Sequence, residues 1–153
     1  MVRVDQEHTI CLEAIGVVEN EVSEFRDWGW ENVESRLVIA ERWAPALEGL
    51  EEFSHVMVIF WLHQVPEDKK AIMKIRPKDR QDMPLLGVFA THTQYRPNPL
   101  AVSTVRLLER RGNVLKVQGL DALNGTPIID LKPYAPRNAP RGEVKMPEWL
   151  ARL

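Results

Sequence analysis

Seven short apolar runs, each bounded by turn-forming residues, constrain the fold of this chain more than any other feature. Each run is rich in β-branched or aromatic residues, a composition typical of strands. Their number predicts a mainly β, antiparallel barrel-like or sandwich domain. The runs are CLEAIGVV (11–18), SRLVIA (35–40), HVMVIFWL (55–62), LLGVFAT (85–91), LAVSTVRLL (100–108), NVLKVQGL (113–120) and TPIIDLKPY (126–134).

Two of the connections between these runs carry hairpin signals. In RRGN (110–113) a glycine follows the run that ends at Leu108, and in LNGT (123–126) the pair Asn124–Gly125 fits a tight primed turn. We therefore expect hairpins at both places.

Side-chain alternation indicates how two of the strands meet solvent. From Leu115 to Gln118 apolar and polar residues alternate, which predicts one wet sheet face. The run HVMVIFWL does not alternate. We expect it to be a central strand covered on both sides, by the other sheet or by a partner subunit.

Helical signals are short. APALEGLEEF (44–53) places leucines at helical spacing, but Pro45 and Gly49 limit the helix to a couple of turns. VPEDKKAIMKI (65–75) predicts a second short helix with a proline near its start.

The chain is organised as a core followed by a tail. We expect one domain over residues 1–153, with its core at about 10–136. From Lys132 onward, four prolines and sparse periodicity predict an extended C-terminal tail, residues 137–153, that lies on a surface, such as that of a neighbouring subunit.

Composition restricts the class of protein. A chain of 153 residues with 44% hydrophobic content can bury a stable core without disulfides or a structural metal. The formal net charge of −2 does not attract phosphates to the molecule as a whole. Cys11, the single cysteine, predicts a small buried hydrophobic residue rather than a disulfide or a reactive thiol.

The termini and apolar runs indicate a cytoplasmic protein that does not enter the membrane. MVRVDQEHTI (1–10) carries acids and has no long apolar centre, unlike a signal peptide. The longest apolar run, VMVIFWL, is too short for a membrane helix. Positive charge is concentrated in KKAIMKIRPKDR (69–80), which is either a solvated loop of mixed charge or a surface for phosphates.

The stretch YRPNPLAVS (95–103) is the most unusual local pattern. Two prolines fix φ on either side of Asn98 and remove two backbone donors, so the segment predicts a stiff edge or loop rather than an interior strand. Held in this way, the side-chain amide of Asn98 can both donate and accept a hydrogen bond. The planar guanidinium of Arg96 can donate two parallel hydrogen bonds to a carboxylate or a phosphate. A rigid structural turn is the alternative reading.

Common catalytic motifs are missing from the sequence. It contains no phosphate-binding glycine loop, no dinucleotide fingerprint, no H-E-x-x-H and no nucleophile elbow. The histidines lack the spacing of metal ligands, so we expect no metal site. Chemistry that uses neither metal nor covalent nucleophile is favoured.

Three blocks, GLEEFSHVMVIFWLHQ, IRPKDRQDMPLLGVFATHTQYRPNPLAVSTVRLLE and NVLKVQGLDALNGTPIIDLKPY, resemble the TsaA-like (TrmO) family of S-adenosylmethionine-dependent tRNA methyltransferases in order and spacing. The resemblance spans roughly residues 10 to 136. It implies a β-barrel-like enzyme that binds S-adenosylmethionine, works as a homodimer and methylates N6 of threonylcarbamoyladenosine beside the tRNA anticodon.

The resemblance also implies a set of cofactor contacts. The proline-framed strip, with Arg96 and Asn98, resembles the wall of the family's cofactor pocket. The early loop and the segment before Gly-Thr-Pro supply further positions. The implied cofactor-binding residues are Asp27, Trp28, Gly29, His63, Gln64, His92, Arg96, Asn98, Val102, Asp121, Ala122, Leu123 and Asn124.

For the acceptor side, the resemblance implies Asp130, Lys132 and Tyr134, together with Arg96 and Asn98. Asp130 and Lys132 share one strand face, so a surface ion pair is the alternative. Asp130 is a conceivable proton acceptor, but no general base is assigned.

The chain departs from the family's usual pattern at several places. The early loop reads FRDWGWENVES where many members carry Pro-Arg-Gln, His92 stands in place of arginine, Ala101 in place of glycine and Asn124 in place of aspartate. Methylation of a small molecule or another nucleic acid therefore stays open, as does a binding module without turnover.

Overall fold

Six of the eight strands close into an antiparallel barrel. The computed structural model describes residues 9–153. Going around the barrel the order is β1, β2, β7, β6, β3, β8, with β8 paired to β1. The strands are β1 (Gly16–Glu19), β2 (Glu34–Ile39), β3 (His55–Trp61), β4 (Lys74–Ile75), β5 (Leu86–Gly87), β6 (Leu100–Arg111), β7 (Val114–Gln118) and β8 (Pro127–Pro133). The predicted fold class, mainly β and barrel-like, is confirmed.

The helices in the described residues are all short and of the 3-10 type. They span Glu41–Leu47, Leu50–Glu52, Glu67–Ala71, Pro77–Asp79, Val88–Ala90, Pro136–Asn138 and Glu148–Arg152. None of the helices in residues 9–153 is long and apolar enough to cross a bilayer.

The barrel interior is filled by the inward face of each strand. On β7, Leu115 and Val117 are completely buried while Lys116 and Gln118 are half-exposed, which confirms the predicted wet face. The core side chains are Val18, Leu37, Ile39, Leu47, Val56, Val58, Phe60, Val105, Leu107, Leu115, Val117, Leu120, Ala122 and Ile128.

The central position of β3 is confirmed, since it pairs with both β6 and β8. Its burial nevertheless alternates: Val56, Val58 and Phe60 are buried, whereas the outward side chains from Met57 to Trp61 are only half-buried. Within residues 9–153 the other sheet is the two-stranded β4–β5 pair, which is not hydrogen-bonded to β3. Covering by a partner subunit stays a prediction.

The barrel is closed unevenly. Seven residue pairs join β3 to β6, from His55↔Arg106 to Trp61↔Leu100. Only two pairs, Gly16↔Ile128 and Val17↔Pro127, join β1 to β8.

Two of the predicted strands are wrong in extent. Of residues 85–91, only Leu86–Gly87 is a strand, and it pairs with Lys74–Ile75 outside the barrel. The residues after it form a 3-10 helix, held by local hydrogen bonds such as the one from Thr91 N–H to the Val88 carbonyl (3.2 Å). The first strand begins at Gly16 rather than at Cys11. Cys11 is exposed, so the prediction that it is buried is wrong.

The connections also need correction. Gly112, with φ 59°, makes the expected hairpin between β6 and β7. The turn at 123–126 does not form a hairpin, because β7 and β8 are not neighbours in the barrel. Only Gly125 of its two central residues has positive φ, so the turn is not of the primed type either.

The helices predicted at 44–53 and 65–75 are present only as shorter 3-10 turns. Gly49, at φ 85°, separates the two turns of the first segment, and Pro45 lies inside the earlier one. The predicted N-terminal boundary and the absence of a signal peptide concern residues 1–8, which lie outside the described residues, so the single domain over 1–153 stays a prediction.

Candidate functional site

A cavity of about 610 Å³ lies beside the end of β3 and the start of β6. Its wall combines five parts of the chain: the early loop, the residues after β3, the segment 75–79, the loop 90–95 and the segment 121–126, with the last residues of the tail closing one side. The lining side chains include Phe25, Asp27, Trp30, Leu62, His63, Gln64, Arg76, Lys78, Asp79, His92, Tyr95, Asp121, Leu123, Thr126, Trp149 and Leu150.

A smaller cavity of about 480 Å³ adjoins the first. The two share wall residues that include His92, Ala101 and Asp121. The smaller cavity is further bounded by Phe89, Arg96, Leu100, Val102 and Ser103. Two hollows with a common wall can hold two molecules side by side.

Asn20 holds the segment 121–125 in place. Its side-chain amide donates to Ser35 Oγ and to the Ala122 carbonyl, both at 2.9 Å, and its backbone N–H donates to Asn124 Oδ1 at 3.1 Å. Ser35 is 1% exposed, so these bonds satisfy a buried polar group. Sequence reasoning missed Asn20, because a lone asparagine after a strand carries no signal for a partner about a hundred residues away.

Asp121 lies on the wall common to both cavities. Its carboxylate accepts a hydrogen bond from Ser103 Oγ on β6. The contact links the exposed end of the segment 121–125 to the barrel and fixes the direction of the carboxylate.

Arg96 shapes the loop that separates the cavities. Its Nη1 donates to the carbonyls of Thr91 (2.9 Å), Val88 (3.3 Å) and Thr93 (3.4 Å), and its guanidinium lies 5.7 Å from the Phe89 ring centre. A guanidinium used in this way positions the loop, although it also lines the smaller cavity.

The proline strip is a loop directly before β6, as expected, but it is not straight. The Leu100 N–H donates to the Asn98 carbonyl at 2.7 Å, closing a tight turn around Pro99. The Pro99 carbonyl accepts from the Leu62 N–H at 2.8 Å, so it extends the β3–β6 ladder. Asn98 itself is exposed and lines neither cavity.

The structure brings most of the predicted cofactor residues to the two cavities. Lining the larger one are Asp27, His63, Gln64, His92, Asp121, Ala122 and Leu123. Lining the smaller one are His92, Arg96, Val102 and Asp121. Lining neither are Trp28, Gly29, Asn98, Asn124, Asp130, Lys132 and Tyr134.

The residues outside the cavities have other contacts. Asn124 accepts the Asn20 N–H, and Trp28 is 76% exposed. Asp130 and Lys132 form an ion pair of 2.7 Å on the outer face of β8, which is the surface pair weighed as the alternative from the sequence. The Tyr134 N–H donates to the His55 carbonyl at 3.2 Å.

Several cavity residues are outside the predicted set of cofactor contacts. From the sequence, either Trp28 or Trp30 could supply an aromatic face to a sulfonium, and only Trp30 lines the cavity. Trp30 lines the larger cavity with its indole N–H bonded to the Arg26 carbonyl at 2.8 Å. Arg76 and Lys78 place cations on the same wall. They belong to the basic segment noted in the sequence, but nothing in its pattern showed which of its cations turn inward.

Within the described part of the chain, no three His, Cys, Asp or Glu side chains are close enough together to hold a metal ion.

The fold places this chain in the class of closed antiparallel β-barrels, with two adjoining cavities beside β3 and β6. Within that class, residues 27–138 match the family model of the tRNA-methyltransferase O N-terminal domain, and the chain belongs to this family.

Named relatives and solved structures agree with this membership. A probable S-adenosyl-L-methionine-binding protein of Pyrococcus abyssi is 34% identical over 146 residues, covering 92% of this chain and 76% of the relative. A putative S-adenosylmethionine-dependent methyltransferase, RcsF, of Pseudomonas aeruginosa is 47% identical over 91 residues, 60% of this chain and 39% of the relative.

The barrel superimposes on crystal structures of TrmO. The structure of the Pseudomonas aeruginosa protein matches with a TM-score of 0.75 and 28% identity over 94% of this chain, and a second TrmO structure with 0.72 and 32% over 91%. This chain spans 63% and 64% of the lengths of those two proteins.

Proposed function

We propose that this protein is an S-adenosylmethionine-dependent methyltransferase that modifies N6 of threonylcarbamoyladenosine beside the anticodon of tRNA. The observation that carries the proposal is the pair of adjoining cavities that share Asp121 and His92. Family membership and the names of the relatives support the donor and the reaction class.

The larger cavity fits the methyl donor. Its volume of about 610 Å³ and largely apolar wall suit a nucleoside-sized ligand. When bound, S-adenosylmethionine supplies an electrophilic methyl group on a positively charged sulfur. On that wall the carboxylates of Asp27, Asp79 and Asp121 outnumber the cations of Arg76 and Lys78. The ring of Trp30 adds an aromatic face that favours positive charge.

The smaller cavity fits the base that receives the methyl group. Phe89 is 77% exposed on its border and offers a ring face to a stacked base. Because methyl transfer is an in-line displacement, the acceptor nitrogen must reach the methyl carbon from the side opposite the sulfur, which leaves as a neutral thioether, so the protein's main task is to align donor and acceptor where the two cavities adjoin and to exclude water.

We infer that Asp121 receives the proton that the acceptor nitrogen loses. It borders both cavities, and Ser103 holds its carboxylate. Asp130, the proton acceptor considered from the sequence, is on the outer face of β8 and lines neither cavity. This placement favours Asp121 for the role.

The test is methyl transfer combined with calorimetry. Wild-type protein should transfer labelled methyl to tRNA that carries the threonylcarbamoyl group and not to tRNA that lacks it. Asp121→Ala should weaken S-adenosylmethionine binding about tenfold, since a charged hydrogen-bonding group is lost.

The matched control is Glu109→Ala, at the β6–β7 hairpin, which should bind S-adenosylmethionine like the wild type. An unchanged affinity in Asp121→Ala would show that the donor site is elsewhere.

A second candidate is a binding module without turnover, favoured by relatives named only for S-adenosylmethionine binding. Such a protein would bind the cofactor and yield no methylated product with any cellular RNA fraction. Methylation of a small molecule is distinguished by salt, because binding to tRNA must weaken steeply as salt rises. The homodimer and the cytoplasmic location stay predictions.

A further inference from the structure

We propose that the C-terminal strap, defined as residues 147–153, is a movable wall of the donor site, and that Trp149 on it contacts the bound methyl donor. The identity of that ligand rests on the proposed function. The strap lies beyond residue 138, where the family model ends, and the sequence leaves open whether the tail closes a pocket of its own subunit or of a partner.

The strap lies against the larger cavity. Its side chains Pro147, Trp149, Leu150 and Leu153 all line that space. Residues 136–148 of the tail are exposed, whereas Trp149 and Leu150 are half-buried. The burial therefore begins where the tail reaches the cavity.

Two cations hold the strap in place. Arg80 Nη1 donates to the Arg152 carbonyl at 2.7 Å, and Lys78 Nζ donates to the Leu153 carbonyl at 3.4 Å. Both contacts are solvent-exposed, so they tether the strap without fixing it as firmly as a buried network would.

The turn that presents these cations has an unusual backbone. Lys78 and Asp79 both adopt positive φ, 52° and 53°, although neither is glycine. Two local bonds maintain the turn: Asp79 N–H to the Arg76 carbonyl at 3.0 Å and Arg80 N–H to the Pro77 carbonyl at 3.2 Å. Left-handed residues of this kind persist where the surroundings enforce them, and they cluster at ligand clamps.

The strap forms one wall of the larger cavity and does not fill it. With the strap docked, the cavity still measures about 610 Å³, which is within the range of small-ligand sites. A wall held by exposed bonds to two side chains is the part of the cavity that can open most readily. We infer that it opens to admit the donor and closes over it.

Among the described residues Trp149 makes no cation–π contact with a protein cation, whereas Trp30 does. The Arg26 guanidinium lies 4.9 Å from the Trp30 ring centre, so a protein cation already covers one face of that ring. An indole supplies a large apolar contact with only two rotatable bonds and attracts a ligand cation such as a sulfonium.

The experiment is calorimetric titration of full-length variants with S-adenosylmethionine. Trp149→Ala should raise the Kd at least tenfold, and Trp149→Phe should bind within about threefold of the wild type, because it keeps a ring face. Trp43→Ala is the matched control: Trp43 is 39% exposed and lines neither cavity, so its loss should leave the Kd unchanged.

The tether is tested by kinetics. Lys78→Met combined with Arg80→Met should increase the S-adenosylmethionine dissociation rate in stopped-flow measurements several-fold, while Lys74→Met, in the same basic segment but off the cavity, should not. Circular dichroism and melting curves verify that each variant is folded.

The outcomes are separable from the proposed function. A wild type that binds S-adenosylmethionine with a Trp149→Ala variant of equal affinity overturns the strap assignment alone. A wild type that binds no S-adenosylmethionine overturns both. A Trp149→Ala variant that does not fold leaves the decision to Trp149→Phe and the dissociation rates: unchanged rates in the double variant overturn the proposal.

Discussion

Individual side chains at this site divide into those that face the cavities and those that shape them. Arg96 donates to three loop carbonyls, and Asn20 secures the opposite segment. Asp121 faces both hollows. Substitutions should therefore separate ligand contacts from loop positioning by whether binding falls alone or together with stability.

Phe89 provides a direct test of the acceptor side. Loss of a stacking ring costs on the order of 1–3 kcal/mol per base, so Phe89→Ala should raise the KM for tRNA roughly tenfold or more. The Kd for S-adenosylmethionine should not change. Met73→Ala is the control, because Met73 is 83% exposed and lines neither cavity. A tRNA KM that is equal in the two variants would exclude Phe89 as the platform.

Asp82 reports on the turn that carries the strap tether. The hydrogen bonds from Arg80 lower the pKa of the Asp82 carboxyl, and the charge of Arg152 acts in the same direction. Arg80→Met should bring the pKa of Asp82 back toward its usual value, measured by NMR titration. Arg36→Met, which breaks an ion pair with Glu19 elsewhere, should not.

The sign of the corresponding pH effect follows from linkage. Because folding lowers the pKa of Asp82, the interaction stabilises the protein above the unfolded pKa and is lost as pH falls through the folded one. The stability difference between wild type and Arg80→Met should therefore shrink in acid. A difference that grows in acid would contradict the assignment.

At the scale of elements, β1 approaches β2 more closely than a side chain allows. A Cβ on Gly16 would lie 2.4 Å from the Val38 carbonyl oxygen and 2.9 Å from Ile39 Cα. Gly16→Ala should lower the free energy of unfolding by about 1–3 kcal/mol, because backbone atoms must move. Urea denaturation measures it.

The matched control for this change is Gly87→Ala. A Cβ there would meet only the Met73 carbonyl oxygen, at 4.0 Å, and φ is −61°. The free energy of unfolding of the Gly87→Ala variant should be unchanged or raised by up to ~1 kcal/mol. Equal losses at the two glycines would show that β1 does not lie where the structure places it.

The segment 121–125 depends on one side chain from another element. Asn20→Ala removes the bonds to Ser35 and Ala122 and leaves buried polar groups unpaired, at a cost of about 1–3 kcal/mol. S-Adenosylmethionine binding should weaken in parallel. The control variant Asn32→Ala, at an exposed position, should have a free energy of unfolding within about 0.5 kcal/mol of the wild type. An Asn20 variant with wild-type stability would mean that other contacts hold the segment.

For the whole molecule, the half-buried outer face of β3 bears on assembly. Met57, Ile59 and Trp61 point away from the barrel interior. We expect light scattering to give twice the mass of the chain, and Ile59→Glu to give the monomer, since a buried unpaired charge opposes association. Val144→Glu, on the exposed tail, should remain dimeric. A monomeric wild type would refute the predicted homodimer.

The sequence predicts the barrel better than it predicts the site. Alternation on β7 and the glycine at 112 follow from local physics, and the order of short runs indicates the fold class. The cavity contacts of His63, Gln64 and Asp121 came from the family resemblance, not from periodicity.

Other features depend on distant partners and carry little local signal. The loop after β5 has the composition of a strand, but Arg96 bonds to its carbonyls and keeps it curled. Trp149 lies in a proline-rich tail whose pattern does not show what it packs on. Cys11 is apolar in context yet precedes the first ladder pair at Gly16.

The short seam between β1 and β8 has a mechanical consequence. Two residue pairs hold that seam, flanked by backbone hydrogen bonds from Ile15 N–H to the Ile128 carbonyl, from Val18 N–H to the Thr126 carbonyl and from Gly125 N–H to the Val18 carbonyl. Pro127 within the seam has no amide hydrogen to give. On heating, we expect local opening of the barrel to start at this seam, because only two residue pairs join β1 to β8. Asn20 directly follows β1, and Thr126 directly precedes β8. Each opening of the seam would therefore loosen the edge of the donor cavity before the rest of the barrel unfolds.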